Sequence, residues 1–206
     1  MAIRTAVNRA LTAITALPTA AALANGNLTL LTTATASSSA TLDFTSSIDS
    51  TYDSYVFTFK DIHPATNDTA FTFQSNASGG SGYNETMTTT RFKAGQNEAG
   101  DYTVLGYETG SDQAQGTSFQ VLTQNVGNVS DESLSGQITI YNPSSTVFVK
   151  HFIATFNTYQ HGNGTYNDFT AGYFNTTSAL DEFQFKMASG NIDSGVIKLY
   201  GVGPKQ

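Results

Sequence analysis

The stretch FQFKMASGNIDSGVIKLYGVG, Phe183 to Gly203, decides the fold class. In its first part Phe183, Phe185 and Met187 alternate with Gln184, Lys186 and Ala188, and in its last part Ile197 and Leu199 alternate with Val196, Lys198 and Tyr200. An apolar residue at every second position is the period of a strand with one buried face, whereas a helix returns its apolar residues every three or four positions. Between the two parts lies Ser189 to Gly195, where Gly and Asn accommodate left-handed backbone angles and Ile192 is placed to plug the loop onto the core. The stretch predicts a closing β-hairpin with nothing catalytic in it.

Working outward, the same period recurs through most of the chain. Strands are expected near Leu28–Ala34, Ala40–Phe44, Tyr55–Ile62, Thr69–Gln74, Met87–Phe92, Tyr102–Glu108, Phe119–Asn125, Gly136–Tyr141, Val147–Thr158, Phe169–Phe174, Glu182–Met187 and Val196–Val202. Short strands separated by Gly, Asn, Asp and Ser turns predict an all-β fold, an antiparallel two-sheet β-sandwich of jelly-roll type occupying residues 27–206. The clearest strands place Phe57 and Phe59, then Phe148, Phe152, Ala154 and Phe156, on apolar faces, with His151, Ile153 and Thr155 opposite. Phe57, Phe59, Phe152, Phe156, Phe185 and Leu199 are the expected core.

Composition supports this. Charged residues are only 12% of the chain, about half the usual share, while Phe (14) and Tyr (10) carry an aromatic fraction of 12%. β-Branched and aromatic side chains suit a pleated surface. The formal net charge of -7 argues against nucleic-acid binding, which needs basic patches to displace counterions from phosphate. The chain has no Cys, so neither disulfides nor thiolate metal sites are available, and stability must come from packing or assembly.

Residues 1–26 read differently, as an N-terminal α-helix and linker. The first 24 imitate a secretory signal, but their apolar run is interrupted by Thr12, Thr15, Pro18 and Thr19, and the segment is read as structure. No apolar run approaches the roughly 20 residues of a membrane-spanning helix. Ile3, Val7, Ala10, Ile14 and Leu17 recur at steps of four and three, a narrow seam on a helix that Pro18 is expected to end or bend. So short a helix is marginal alone and must pack on its own domain, on equivalent helices of a homo-oligomer, or on another protein. Ile3, Val7, Ile14 and Leu17 are therefore the candidate docking residues.

Chemistry-bearing constellations are sparse. His63, His151 and His161 have no metal-ligand spacing, and no nucleophile motif surrounds any Ser. Asp49 with Asp53, Asp131 with Glu132 and Asp181 with Glu182 are neighbours in sequence, which alone does not supply a glycosidase pair facing one cleft. A calcium loop at Asp49, Asp53 or Asp168 lacks EF-hand spacing. No cofactor, metal or catalytic residue is expected. Recognition, if present, is expected in the Gly- and Asn-rich loops Ser75–Glu85 and Tyr159–Asp168, where Tyr83, Tyr159 and Tyr166 offer stacking faces and His161, Asn163 and Asn167 offer hydrogen bonds.

Three stretches carry a resemblance: SIDSTYDSYVFTFKDIHPATNDTAFTFQ (Ser47–Gln74), YNPSSTVFVKHFIA (Tyr141–Ala154) and AGYFNTTSALDEFQFKMASGNIDSGVIKLYG (Ala171–Gly201). Together they resemble a group of virion structural proteins common among marine bacteriophages, described as tail-fibre-like or appendage proteins, over roughly Ala40–Val202. The resemblance implies a non-enzymatic β domain on the virion, assembled in the host cytoplasm as a homo-oligomer, with a homotrimer favoured, and contacting other virion proteins. A glycan-binding module for a host surface glycan is the other expectation, and the two roles are compatible in one chain.

Overall fold

The computed structural model describes residues 28–204, all of whose regular structure is β. The strands are β1 (Leu28–Ser39), β2 (Leu42–Phe44), β3 (Tyr52–Pro64), β4 (Thr69–Ala77), β5 (Met87–Asn97), β6 (Thr103–Tyr107), β7 (Ala114–Gly116), β8 (Gln120–Val126), β9 (Leu134–Tyr141), β10 (Lys150–Gln160), β11 (Gly164–Phe174), β12 (Leu180–Met187) and β13 (Ile192–Pro204). Every strand expected from alternation is present. The one missed, β7, reads Ala-Gln-Gly and has no apolar period to betray it. The expected N-terminal helix lies outside the described residues.

All pairings are antiparallel and join the strands into one 13-stranded sheet rather than two separate ones. A long run, β1-β13-β3-β9-β10-β11-β5, carries β6 and β7 on β5, and a short run is ordered β8-β4-β12-β2. They meet where Gln160 of β10 pairs with Val126 of β8. The ends of the path, β1 and β2, also touch, so the sheet curls into a nearly closed, barrel-like form.

The expected closing hairpin does not form. β12 pairs with β4 and β2, β13 pairs with β1 and β3, and residues 188–191 cross between the two runs. Alternation reports that a strand has one buried face but not which strand lies beside it, and here the apolar faces of β12 and β13 meet the core from opposite sides. Gly190 makes the crossing possible: its φ is +73°, and a Cβ there would collide with Thr66 Oγ1. Ile192 is wholly buried, as expected of its plugging role.

The expected core residues Phe57, Phe59, Phe152, Phe156, Phe185 and Leu199 all belong to one buried cluster. Phe148 does not: 69% of it is exposed, and β10 begins only at Lys150. The cause is local. Ser145 Oγ accepts the amides of Val147 (3.2 Å) and Phe148 (2.9 Å), which holds this segment in a turn, while buried Lys150 donates from Nζ to the carbonyls of Phe148 (3.0 Å) and Thr176 (3.1 Å).

The packing sets two expectations for variants. Phe152→Ala is expected to lower stability by about 3–5 kcal/mol through lost burial and the cavity left behind, and Phe148→Ala to stay within about 0.5 kcal/mol of wild type, as read by urea denaturation. The second concerns Tyr55, also wholly buried, whose hydroxyl donates to the Asp49 carbonyl (3.0 Å) and accepts the Asp49 amide (2.9 Å). Burial pushes that hydroxyl from 10.0 up to about 12. The folded chain keeps a proton that the unfolded chain releases, so stability is held below about pH 10 and lost as pH rises towards 12. Tyr55→Phe should flatten that alkaline fall in melting temperature.

Candidate interaction surface

In β10 the even-numbered residues from Lys150 to Gln160 point inward, which turns His151, Ile153 and Thr155 outward. Directly paired residues of antiparallel strands share a face, so the register extends this outer face across the long run. One row reads Leu28, Val202, Ser54 and Tyr141 and continues through His151, Tyr173 and Thr88. The next reads Leu30, Tyr200, Val56, Thr139, Ile153 and Ala171. Neither row contains Asp, Glu, Lys or Arg, in a chain of net charge -7. An antiparallel sheet with one solvated face ordinarily alternates apolar with polar, and these rows break that rule.

A groove of about 480 Å³ crosses the rows, lined by Thr88, Thr90, Tyr141, His151, Ile153 and Tyr173. Beside it Phe92 and Phe169 stack at 4.8 Å with their planes 11° apart, forming with Ile153 part of a smaller hollow of about 160 Å³. Tyr107 stands opposite Phe92 and extends the aromatic strip onto β6. The outer side of the short run is different: Gln184 Nε2 donates to Asp43 Oδ1 at 2.7 Å, and Lys186 Nζ sits 3.9 Å above the Phe119 ring. Sequence reasoning placed Ile153 on the outer face but assigned it no role. Rows become visible only when several strands are in register.

The residues expected to recognise a ligand are dispersed. Tyr159, His161 and Asn163 gather at the β10–β11 tip, where the Tyr159 hydroxyl donates to Glu98 Oε1 (3.0 Å) and His161 Nδ1 lies 3.2 Å from Asp68 Oδ1. Asn163 occupies the left-handed turn position (φ 56°), and its carbonyl accepts the Glu98 amide at 2.9 Å. Tyr83 sits at the opposite end of β4, its amide donating to Asn76 Oδ1 (2.7 Å) and its hydroxyl pushed up to about 12 by burial and by the charges of Glu182 and Asp43. From Asp68 to Asn76 is roughly 25 Å of strand, so the two loops do not form one surface.

Gly164–Asp168, expected as loop, is the first part of β11. Tyr166 is only 9% exposed: it lies across Gly95, where a Cβ would strike its ring, and Lys93 Nζ stands 4.5 Å from its centroid. It is packing rather than a stacking platform. Asn167 points outward, half-buried, opposite Asn157 and Ala94. Ile3, Val7, Ile14 and Leu17 lie outside the described residues.

Beneath the outer strip the interior turns polar. Arg91 and Asp168, both fully buried, pair with Nη2 donating to Oδ1 at 2.5 Å, and Arg91 Nη1 donates to Ser111 Oγ at 3.0 Å. Glu108 lies 3.7 Å from Arg91 and 3.3 Å from Lys93. Burial pushes the Asp168 carboxyl up, against the opposing pull of Arg91. Asp168 is thus an interior counter-ion, not a calcium ligand in a loop. Sequence reading missed Arg91 and Lys93 because Phe92 between them draws the eye to the wrong face of β5.

An acidic hollow of about 630 Å³ near the β3–β13 bulges includes Asp61, His63, Asp131, Glu132 and Asp193. Its groups are engaged locally: His63 Nδ1 stands 3.6 Å from Asp193 Oδ2, and Glu132 Oε2 accepts the Val129 amide at 2.7 Å. Among the described residues no three or more His, Asp or Glu side chains converge to hold a metal ion. Compared with family models, curated proteins and solved structures, the chain gives no significant match.

The buried pair yields a prediction. Asp168→Ala removes the buried carboxylate that Arg91 Nη2 donates to, leaving the guanidinium only the more distant Glu108, and is expected to cost about 3–5 kcal/mol, whereas Arg91→Met combined with Asp168→Leu should recover most of that loss in urea denaturation.

Proposed function

We propose that the chain is a non-enzymatic structural component of a bacteriophage virion, a tail-fibre, appendage or capsid-associated protein that works in symmetric copies as a jelly-roll-like sandwich. The observation that carries this reading is on the outer face of the long run, where the two rows through Tyr141 and Ile153 form an aromatic and aliphatic strip without Asp, Glu, Lys or Arg on a strongly acidic chain. Such a face serves association, because contact through it desolvates few polar groups and brings no carboxylates together. The resemblance of Ser47–Gln74, Tyr141–Ala154 and Ala171–Gly201 to phage virion proteins supplies the setting, and Ile3, Val7, Ile14 and Leu17 are the proposed docking seam to other virion proteins.

The glycan-binding alternative draws support from one feature, the shallow hollow of about 250 Å³ at the β10–β11 tip lined by Gln96, Glu98, Tyr159 and Thr165. Polar groups around an accessible tyrosine suit a sugar ring, but Tyr83 and Tyr166 do not join it.

Peptide mass spectrometry and antibody labelling of density-purified phage particles test the proposal. The chain is expected in mature particles in many copies, at a regular position in electron micrographs. Its absence from purified particles overturns the reading. Hydrolysis of a host glycan by the purified protein overturns its non-enzymatic part.

A further inference from the structure

We infer that the neutral outer strip of the long run is the contact between two copies of this chain, centred on the groove between Tyr141, His151, Ile153 and Tyr173. The inference deepens the structural reading above and rests on it only for the setting in which the copies meet.

Area and charge both point to a second copy. Leu28, Leu30, Phe92, Tyr107, Tyr141 and Ile153 each leave between 43% and 55% of their surface in water. With about 200 Å² for a large side chain, these residues and the half-buried Val56, Phe169, Tyr173 and Tyr200 present roughly 700–800 Å², close to the ~800 Å² that one partner buries in a standard interface. A monomer rarely leaves a strip of that size in water.

Charge selects the partner. Two copies of net charge -7 repel each other, and a homotypic contact must therefore form where carboxylates are absent. The two rows through Tyr141 and Ile153 meet that condition, whereas the outer side of the short run, with Asp43 and Lys186, does not. A basic partner would select for acidic groups at the contact, and these rows have none. The hydroxyls of Tyr141 and Tyr173 and the His151 ring give the contact polar tips without fixed charge, as Tyr does at many interfaces.

Sedimentation velocity of the full chain across a concentration series is the test, together with Ile153→Glu on the strip and Ser178→Glu on an exposed turn outside it. Wild type and Ser178→Glu are expected to form the same defined oligomer. Ile153→Glu should raise the dissociation constant by about 100-fold or more, since it places an unpaired carboxylate in each copy's apolar contact, while its far-UV spectrum stays unchanged. Ile153→Cys introduces a unique thiol into a cysteine-free chain: it should react with maleimide in the monomer and be protected in the oligomer.

Three results overturn the inference: a wild-type monomer at every concentration reached, an oligomer indifferent to Ile153→Glu, or a monomer in which the thiol of the Ile153→Cys variant is protected, which would assign the strip to residues 1–27 of the same chain. If the chain is monomeric with that thiol reactive yet present in purified particles, the homotypic contact fails while the virion role stands, and another virion protein takes the face.

Discussion

The Phe185 ring is the contact on which the two runs of the sheet depend. It lies within aromatic distance of Phe44 (5.9 Å), Phe57 (5.1 Å), Phe59 (5.0 Å), Phe71 (6.1 Å) and Phe73 (6.2 Å), so one side chain of the short run touches β2 and β4 beside it and β3 across the core. Most of these pairs are edge-on, the arrangement favoured by the ring quadrupole and worth about 0.5–1.5 kcal/mol beyond burial. With no Cys to cross-link it, the curl of the sheet is held by this cluster and by its hydrogen bonds.

The core is not uniform along β10. Phe152, Ala154 and Phe156 face the aromatic cluster, but the next two inward residues are Thr158 and Gln160, and Thr158 shares a 2.7 Å hydrogen bond with Thr123 of β8. There the sheet divides: β10 leaves β9 after Thr158 and gains a single pairing with β8 at Gln160, while β11 stays beside it to the end. The Arg91–Asp168 pair and its neighbours Lys93, Glu108 and Ser111 fill the adjoining space. A buried charge is tolerated only with a counter-charge and hydrogen bonds, which ties β5 to β11 with a directionality that apolar packing lacks.

The surface is as divided as the interior. Carboxylates collect in the hollow around Asp61, Asp131 and Asp193 and along the β2–β12 edge, and the two rows through Tyr141 and Ile153 on the outer face of the long run are left without formal charge. Strands β9, β10 and β11 thus serve two faces at once: Ile140, Phe152 and Phe174 close the core, and their neighbours Tyr141, Ile153 and Tyr173 form the strip outside. A sequence with apolar residues on both faces of adjacent strands loses solubility unless one face is covered, which is the physical reason to read these strands as built for assembly.

Alternation in the chain by itself determined the all-β class, the position of nearly every strand and the inward set Phe57, Phe59, Phe152, Phe156, Phe185 and Leu199, because side-chain period is a local property of an extended backbone. It also turned Ile153 outward. Only the tertiary structure decided that Phe183–Gly203 bridges two runs instead of closing a hairpin, since pairing depends on partners distant in sequence. Phe148 was misplaced because a single hydroxyl, that of Ser145, holds Val147 and Phe148 in a turn, so that β10 begins only at Lys150. Tyr83, Tyr159 and Tyr166 looked equivalent as loop tyrosines, yet one is buried over Gly95 and the others stand at opposite ends of β4. The neutral strip was illegible for a like reason: Leu30, Tyr200, Val56 and Ile153 come from four separated strands, and only the antiparallel register sets them side by side.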